Sequence, residues 1–360
     1  MYPKIIYKVI TLLCLVLISP LPNSIAEEPK SSDQVVFYRT PEERRDAGVK
    51  HFLTDWFSIS GLLEIEHSAK RNSLTTEPGH SYENHTSENF QFDAELQPLN
   101  WLTGEFTYEY EIDTGKHFVD EALVAIEHKS FEIEFGKMEL PFGEYYSYFI
   151  TGPLIEFGET KDTALVLSYD YEEIVKFSGF IYEGRTKQLA SRNESLDWGF
   201  AVESSPSEWT TFGISYISDL ADSEEEFLSD FDYHHQRVPA ISGFAVLDLD
   251  VFNLTFEYLS AQKSFQELDD PTNKPEAWNL EVARPLTEDV LLAARFESSH
   301  ELENAPKLQT GLSLSWRATE QVLLSLDYLH GWHKQKYSTD DHGFEISNTN
   351  TLVAQISASF

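Results

Sequence analysis

Apolar and polar residues alternate along most of the chain. Residues 89–97 read Asn-Phe-Gln-Phe-Asp-Ala-Glu-Leu-Gln, and after a turn at 98–100 residues 102–112 again place aromatic and aliphatic side chains between threonines and glutamates. An alternation of period two over about 9 to 11 residues is typical of a strand that crosses a membrane at a tilt. These two segments therefore predict a β-hairpin with one apolar face and one acidic face.

The same pattern returns as far as the C-terminus and predicts about sixteen strands in an all-β protein. The predicted strands are residues 56–67, 88–97, 101–112, 119–128, 130–137, 163–171, 173–183, 196–204, 208–218, 240–248, 251–261, 276–284, 289–298, 307–316, 320–330 and 349–360. Long connections, about twenty residues after the first and ninth strands and about twenty-five after the fifth, alternate with short ones, as in outer loops and periplasmic turns. The prediction is a transmembrane antiparallel up-and-down β-barrel.

Aromatic residues support a membrane barrel because girdles are expected at both interfaces. Trp101, Trp209 and Trp316 fall beside short turns. Beside long loops fall Tyr110, Trp198, Tyr216, Tyr258, Trp278 and Tyr328. The chain ends on Phe360, which resembles the C-terminal aromatic assembly signal of bacterial outer-membrane barrels. The alternative, a soluble β-sandwich, would require neither alternating loop lengths nor two belts.

The N-terminus indicates export. Lys4 and Lys8 precede an apolar run, and Ser24 to Ala26 offers small residues for cleavage, which predicts a signal peptide over residues 1–26. Residues 27–55 are expected to form a periplasmic leader, with a possible short helix over 41–53, and residues 56–360 the barrel. The single cysteine, Cys14, would be removed with the signal, so the mature protein would have no disulfide.

The composition of the chain excludes some classes of protein. With 26 basic and 61 acidic residues the net charge is -35, which excludes a nucleic-acid binder because the chain would repel a phosphate backbone. The aromatic content of 14% argues against disorder. A sixteen-stranded barrel is wide enough for an aqueous channel, so the residues facing its lumen are the candidate functional residues.

By alternation, the inward face of the first five strands is acidic. Its predicted carboxylates are Glu64, Glu66, Asp93, Glu95, Glu105, Glu109, Glu111, Glu121, Glu127, Glu132 and Glu134, followed on later strands by Glu203, Glu257, Glu281, Glu297 and Asp327. Only Lys176 and Arg295 are predicted to face inward with positive charge. Such a wall is either the ordinary polar lining of a lumen or a cation-attracting surface, because carboxylate rings select cations.

The connection after the fifth strand is rich in aromatic residues. A loop of this composition would be unfavourable in water, so we expect it to fold inward as a constriction; the alternative is a cap over the outer mouth. The predicted constriction residues are Pro141, Phe142, Gly143, Tyr145, Tyr146, Tyr148 and Phe149.

Several short motifs of the chain resemble those of a known protein family. Residues 45–49 (Arg-Asp-Ala-Gly-Val), 53–64, the Phe-Gly-Lys to Pro-Phe-Gly stretch over 135–143, and the motifs at 152–154 and 158–160 resemble the LbtU-type siderophore porin family. The motifs are short, and the Gly-Lys and Pro-Phe-Gly pieces also occur in other porin groups, including phosphate-selective ones. The resemblance implies a sixteen-stranded outer-membrane barrel that takes up a ferric siderophore without a plug domain. A general, cation-preferring diffusion porin is the alternative.

Other functions are weaker. Aspartates and histidines cluster in two long loops, where they could activate a water or hold a metal, but the spacing is not specific, and no serine lies in a nucleophile setting. The clusters are Asp232, His234 and His235, and His330, His333, Asp340, Asp341 and His342. We predict no enzyme, cofactor or metal. The expected partners are outer-membrane lipid and lipopolysaccharide, the barrel assembly machinery, and a ferric siderophore or small solutes. A structural or adhesive barrel is a third possibility.

Overall fold

The computed structural model describes residues 49–75, 79–184, 196–223, 228, 235–249, 251–268, 272–334, 338–340 and 342–360. Its strands are β1 (His51–Thr54), β2 (Phe57–Leu74), β3 (His80–Leu99), β4 (Leu102–Glu111), β5 (Lys116–His128), β6 (Phe131–Glu139), β7 (Lys161–Tyr171), β8 (Val175–Glu183), β9 (Leu196–Ser207), β10 (Thr210–Ile217), β11 (Ala240–Asp248), β12 (Asn253–Ala261), β13 (Glu276–Thr287), β14 (Val290–His300), β15 (Leu308–Thr319), β16 (Val322–Trp332) and β17 (Ile346–Ser359). Two short 3-10 helices occupy Leu154–Gly158 and Leu220–Asp222. In the described ranges, no helix has the length and apolar character to cross a membrane.

Strands β2 to β17 form a closed antiparallel barrel of sixteen strands. Each pairs with the next along the chain, and β17 pairs back onto β2 from Ile346–Leu74 to Ser359–Leu62. Closure leaves no strand edge with unpaired amides inside the hydrocarbon, where each would cost several kcal/mol. The predicted fold class is therefore confirmed, and the sixteen predicted strands correspond in order to β2–β17.

The first hairpin of the barrel is longer than predicted. The expected connection of about twenty residues is wrong, because β2 continues to Leu74 and β3 begins at His80. These extensions pair from Ser73–His80 down to Phe57–Leu96 in unbroken register. Residues above the hydrocarbon need no apolar face, so the alternation disappears while the backbone pairing continues.

A short strand precedes the barrel. Strand β1 pairs with the start of β2, from His51–Ile59 to Thr54–Phe57. The predicted helix over 41–53 is therefore wrong at its described end, because β2 offers this segment backbone partners. The remainder of that helix, the signal peptide and most of the leader lie outside the described residues.

Side chains divide into a lipid-facing and a lumen-facing set. Outward Phe135 and Ile214 are each 61% exposed, whereas inward Glu281 and Asp327 are fully buried. Trp101 and Trp209 lie in the periplasmic turns and Trp316 lies near the periplasmic end of β15, each about half-exposed. An apolar outer wall with tryptophans at the inner rim is the surface a membrane barrel presents to lipid.

The barrel closes beside the last residue. Phe360 exchanges two backbone hydrogen bonds with Gly61, at 2.8 and 3.0 Å, and its ring stacks on that of Phe90 with centroids 6.0 Å apart. A Cβ on Gly61 would lie 2.6 Å from the Phe360 ring, so a larger residue at this position would displace that ring. Phe360 is thus part of the seam between β17 and β2.

Candidate pore and inward loop

The connection between β6 and β7, residues 140–160, is held at its base by a hydrogen bond between its two ends and by contacts with the barrel wall. The Leu140 amide donates to the Thr160 carbonyl at 2.8 Å, and the Glu139 amide donates to Glu121 Oε1 at 3.1 Å. At the other end of the base, Lys161 Nζ contacts both oxygens of Asp120 at 2.6 and 2.8 Å. The loop therefore begins and ends at one level of the wall.

Beyond this base the loop crosses the lumen, and wall carboxylates accept its backbone amides. Glu257 accepts from the amides of Glu144 and Tyr145 at 2.9 and 2.8 Å. Three further anchors act in the same way: Glu281 accepts from Tyr148 at 2.8 Å, Asp327 from Ile150 at 2.6 Å and Glu297 from Leu154 at 2.7 Å. Buried amides require partners, and hydrogen bonds to carboxylates are among the strongest available.

Arg295 connects these anchors. Its side chain is fully buried on β14, where Nε donates to Glu281 at 2.7 Å and Nη1 donates to the Gly152 carbonyl at 3.0 Å. Its Nη2 also bonds to Ser147 Oγ, and the guanidinium lies 4.2 Å from the centroid of the Phe149 ring. A planar group with five donors can hold a wall carboxylate and a loop together in this way.

The aromatic residues of the loop are buried. Phe142, Tyr145, Tyr148 and Phe149 are each at most 6% exposed, in clusters with wall residues such as Leu259 and Leu329. Pro141 and Tyr146 are half-buried, and Tyr146 packs near Phe244 with ring centroids 5.9 Å apart. Gly143 has φ +83°, and a Cβ there would lie 2.7 Å from the Tyr145 ring, so the turn requires glycine.

The loop leaves a cavity along the opposite part of the wall, which we call the open path. This cavity of about 420 Å³ runs beside β2–β10 and the loop tip. Its carboxylates are Asp93, Glu95, Glu105, Glu121, Glu134, Glu139, Glu144 and Glu203, and its basic residues are Lys50 and Lys176. The lining of this path thus contains eight carboxylates and two lysines.

The predicted acidic residues fall into two groups. Asp93, Glu95, Glu105, Glu121 and Glu134 line the cavity, whereas Glu109, Glu111, Glu127 and Glu132 do not. Lys176 lies 3.3 Å from Glu132, which places it in an ion pair at the wall. Arg295 faces the loop rather than the open path. The two inward cations predicted from the sequence therefore have different environments.

Sequence reasoning missed the Asp120–Lys161 ion pair. Strict alternation places Glu121 inward and Asp120 outward, but the register shifts between Thr107 and Tyr108, so that Asp120 and Glu121 are both buried. A β-bulge of this kind breaks the period of two and cannot be read from alternation. Lys50 was missed as well; its Nζ contacts Glu95 at 2.6 Å at the periplasmic end of the cavity.

The histidine clusters have ordinary polar contacts. His333 bonds to Ser338 Oγ at 2.7 Å and to Thr349 Oγ1 at 2.9 Å, and burial, with nearby Lys70, lowers the pKa of His333 to about 4. His330 Nδ1 lies 2.9 Å from Asn350, and His235 Nδ1 lies 2.8 Å from Glu267. Asp232, His234 and Asp341 lie outside the described residues.

One group of described carboxylates approaches the geometry of metal ligands. Asp197, Asp219 and Asp222 are buried, with ligand atoms within 4.8 Å of one another. Arg237 forms an ion pair with Asp197, and the amides of Ala221 and Val238 donate to Asp219 at 3.3 and 3.1 Å. These protein groups offset part of the negative charge of the cluster.

No family model matches the chain. A "UPF0422 protein" from Coxiella burnetii is 30% identical over 193 residues, which is 49% of this chain and 41% of that relative. The chain thus aligns with less than half the length of that relative.

Several solved outer-membrane structures share the fold. The channel DcaP of Acinetobacter baumannii (TM-score 0.59, 10% identity) covers 86% of this chain over its whole length. An anion-selective porin from Comamonas acidovorans (0.60, 9%) covers 84%, and Salmonella typhi OmpF in complex with daunomycin (0.56, 12%) covers 87%, again over their whole lengths. At this identity the likeness shows the fold alone. The chain has the porin-like channel fold of the bacterial outer membrane.

Proposed function

We propose that the chain is an outer-membrane channel for small solutes that prefers cations. The observation that carries the proposal is the open path beside β2–β10, where eight carboxylates face two lysines. Fixed charges of one sign on a narrow, low-dielectric wall raise the local concentration of the opposite ion. The predicted constriction residues would support this role by confining solutes to that path.

The carboxylates that hold the loop contribute less to this field. Glu281 and Glu297 share Arg295, at 2.7 and 3.6 Å, and both accept loop amides as well. Their charge is thus offset locally, away from the open path. Cation preference should therefore depend on Glu105, Glu134 and their neighbours in the cavity.

Reversal potentials in a salt gradient test the proposal. Replacing Glu95, Glu105, Glu134 and Glu203 together with Gln should move the reversal potential towards zero. Because the Debye length is about 8 Å at 0.15 M salt, the shift should be larger at about 0.01 M. A wild-type pore that prefers anions would refute the proposal.

A matched control removes the same charge elsewhere. Glu172, Glu173, Glu208 and Glu320 are exposed in periplasmic turns. Their fourfold Gln variant should keep the wild-type reversal potential. An equal shift in both variants would mean that overall charge, rather than the path, sets the selectivity.

Uptake of a ferric siderophore is the second candidate. The family resemblance favours it, and three of the motifs that carry the resemblance, at 141–143, 152–154 and 158–160, lie in the loop that crosses the lumen. The acidic path would admit a cationic or neutral ferric complex more readily than an anionic one.

Growth of a deletion strain on iron-limited medium tests this candidate. Cationic, neutral and anionic ferric siderophores are supplied separately, with the intact gene restored as a control. A growth defect confined to cationic or neutral complexes would support uptake. Equal growth with every complex would leave the general diffusion channel.

A further inference from the structure

A second cavity lies on the outer side of the inward loop. It has a volume of about 560 Å³ between residues 153–159 of the loop and residues 302–306, the connection from β14 to β15. It shares no lining residue with the cavity of the open path. The connection from β14 to β15 lies at the outer end of the barrel, so the cavity meets solutes before they enter the path.

The lining combines an apolar floor with an acidic rim. Leu154 and Ala305 provide the accessible apolar surface, since both are partly exposed and pack against the buried cluster that contains Phe157 and Leu302. Glu156, Glu159 and Glu303 provide the carboxylates, and among the described lining residues there is neither lysine nor arginine. Two lysines at the outer end of the barrel, Lys307 and Lys334, line an adjoining depression that shares Leu302 and Ala305 with this cavity.

The walls of the cavity are held in place from both sides. The amide of Leu154 is anchored to Glu297, and Phe157 and Leu302 belong to the same buried cluster. The carbonyls of Ala305 and Pro306 accept from Ser338 at 3.3 Å and from Ser299 at 2.8 Å. A formed concave site with an apolar floor and a few polar groups is the usual form of a small-molecule site.

We propose that this outer cavity binds amphipathic organic cations, with the apolar part of the ligand against Leu154 and Ala305 and the positive charge among Glu156, Glu159 and Glu303. An inorganic cation would leave the apolar floor empty, and an anion would meet three carboxylates. The proposal does not depend on the selectivity of the open path, because binding is measured without ion flow.

Calorimetric titration of the folded full-length barrel in a non-ionic detergent tests the site. Benzyltrimethylammonium and benzenesulfonate serve as probes, because each pairs one aromatic ring with one charged group of opposite sign. The cation should bind with a Kd of millimolar order or below, and benzenesulfonate should give no binding heat. Equal binding of both probes would overturn the proposal.

Two sets of variants locate the bound cation. The triple variant Glu156→Gln, Glu159→Gln, Glu303→Gln should raise the Kd about tenfold, whereas the fourfold Gln variant of the open path should leave it unchanged. Glu303→Gln alone, on an exposed rim residue, should raise it about threefold without affecting folding. An unchanged Kd in both cavity variants would overturn the site, and so would loss of binding in the open-path variant.

Discussion

The anchoring of the loop by wall carboxylates predicts a specific effect of removing one of them. Glu257 is the anchor of the loop tip, since it accepts the amides of Glu144 and Tyr145 and also the hydroxyl of Ser242 at 3.1 Å. Glu257→Ala leaves these groups without their acceptor in a buried position. The tip should then leave the wall for part of the time, while the other anchors hold the remainder of the loop.

The magnitude follows from the two amide bonds. A hydrogen bond to a charged group contributes about 1.5–3 kcal/mol, so the two together contribute about 3–6 kcal/mol. Water entering the space left by the side chain recovers part of this, which favours a loss of about 3 kcal/mol. Because about 1.4 kcal/mol corresponds to a factor of ten, the ratio of released to seated tip should rise about a hundredfold.

Single-channel recording measures this effect. Pro141, Gly143 and Glu144 line the open path, so their movement should increase open-channel current noise and change the mean conductance. Glu203→Ala is the matched control: it removes a carboxylate from the path, and should alter the reversal potential without adding noise. Folded Glu257→Ala barrels with wild-type noise and conductance would refute the anchoring argument.

Three further predictions concern assembly, the loop and pH. Deleting Phe360, or replacing Gly61 with Val, should lower the amount of heat-modifiable barrel in the outer membrane, because each change disrupts the seam; normal amounts would contradict this. Excising Tyr145 to Leu154 should raise single-channel conductance, and an unchanged value would contradict the proposed constriction. His333 stays neutral in the fold with a pKa of about 4, against about 6.5 when its loop opens, so hydrogen-exchange protection of residues 338–340 and 342–345 should be constant above pH 6.5 and fall as the pH drops towards 4. Protection that rises on acidification would contradict this sign.

The sequence predicted the membrane strands well because lipid imposes a simple rule on them. A membrane strand with lipid on one side must alternate apolar and polar side chains. Alternation alone was therefore enough to place Phe90, Phe92, Ala94 and Leu96 on one face. The rule does not apply to strand segments outside the hydrocarbon. The extensions of β2 and β3 around Lys70 and Glu83 are polar on both faces, and the pair lies 3.1 Å apart above the membrane without any periodic signal.

The loop was harder to predict than the strands. Its aromatic content indicated that it must be covered, but composition left both the lumen and the outer mouth open as positions. The position of the loop is decided by its backbone amides, which need hydrogen-bond acceptors. The acceptors are the side chains of Glu257, Glu281, Glu297 and Asp327. In the sequence these four residues looked like scattered members of the acidic wall. No local pattern distinguishes a carboxylate that binds a loop from one that faces water.

The acidic residues of the barrel therefore divide according to their partners rather than their positions in the alternation. Carboxylates of β12, β13, β14 and β16 meet backbone amides and Arg295, so removing one should change how the lumen is filled. Carboxylates of β3, β4 and β9 along the open path face solutes, so neutralising them should change which ions pass. Since the two sets lie on different parts of the wall, conductance and selectivity should respond to separate substitutions. A path carboxylate such as Glu105 whose loss altered conductance noise but left the reversal potential unchanged would show that the two roles are not separated in this way.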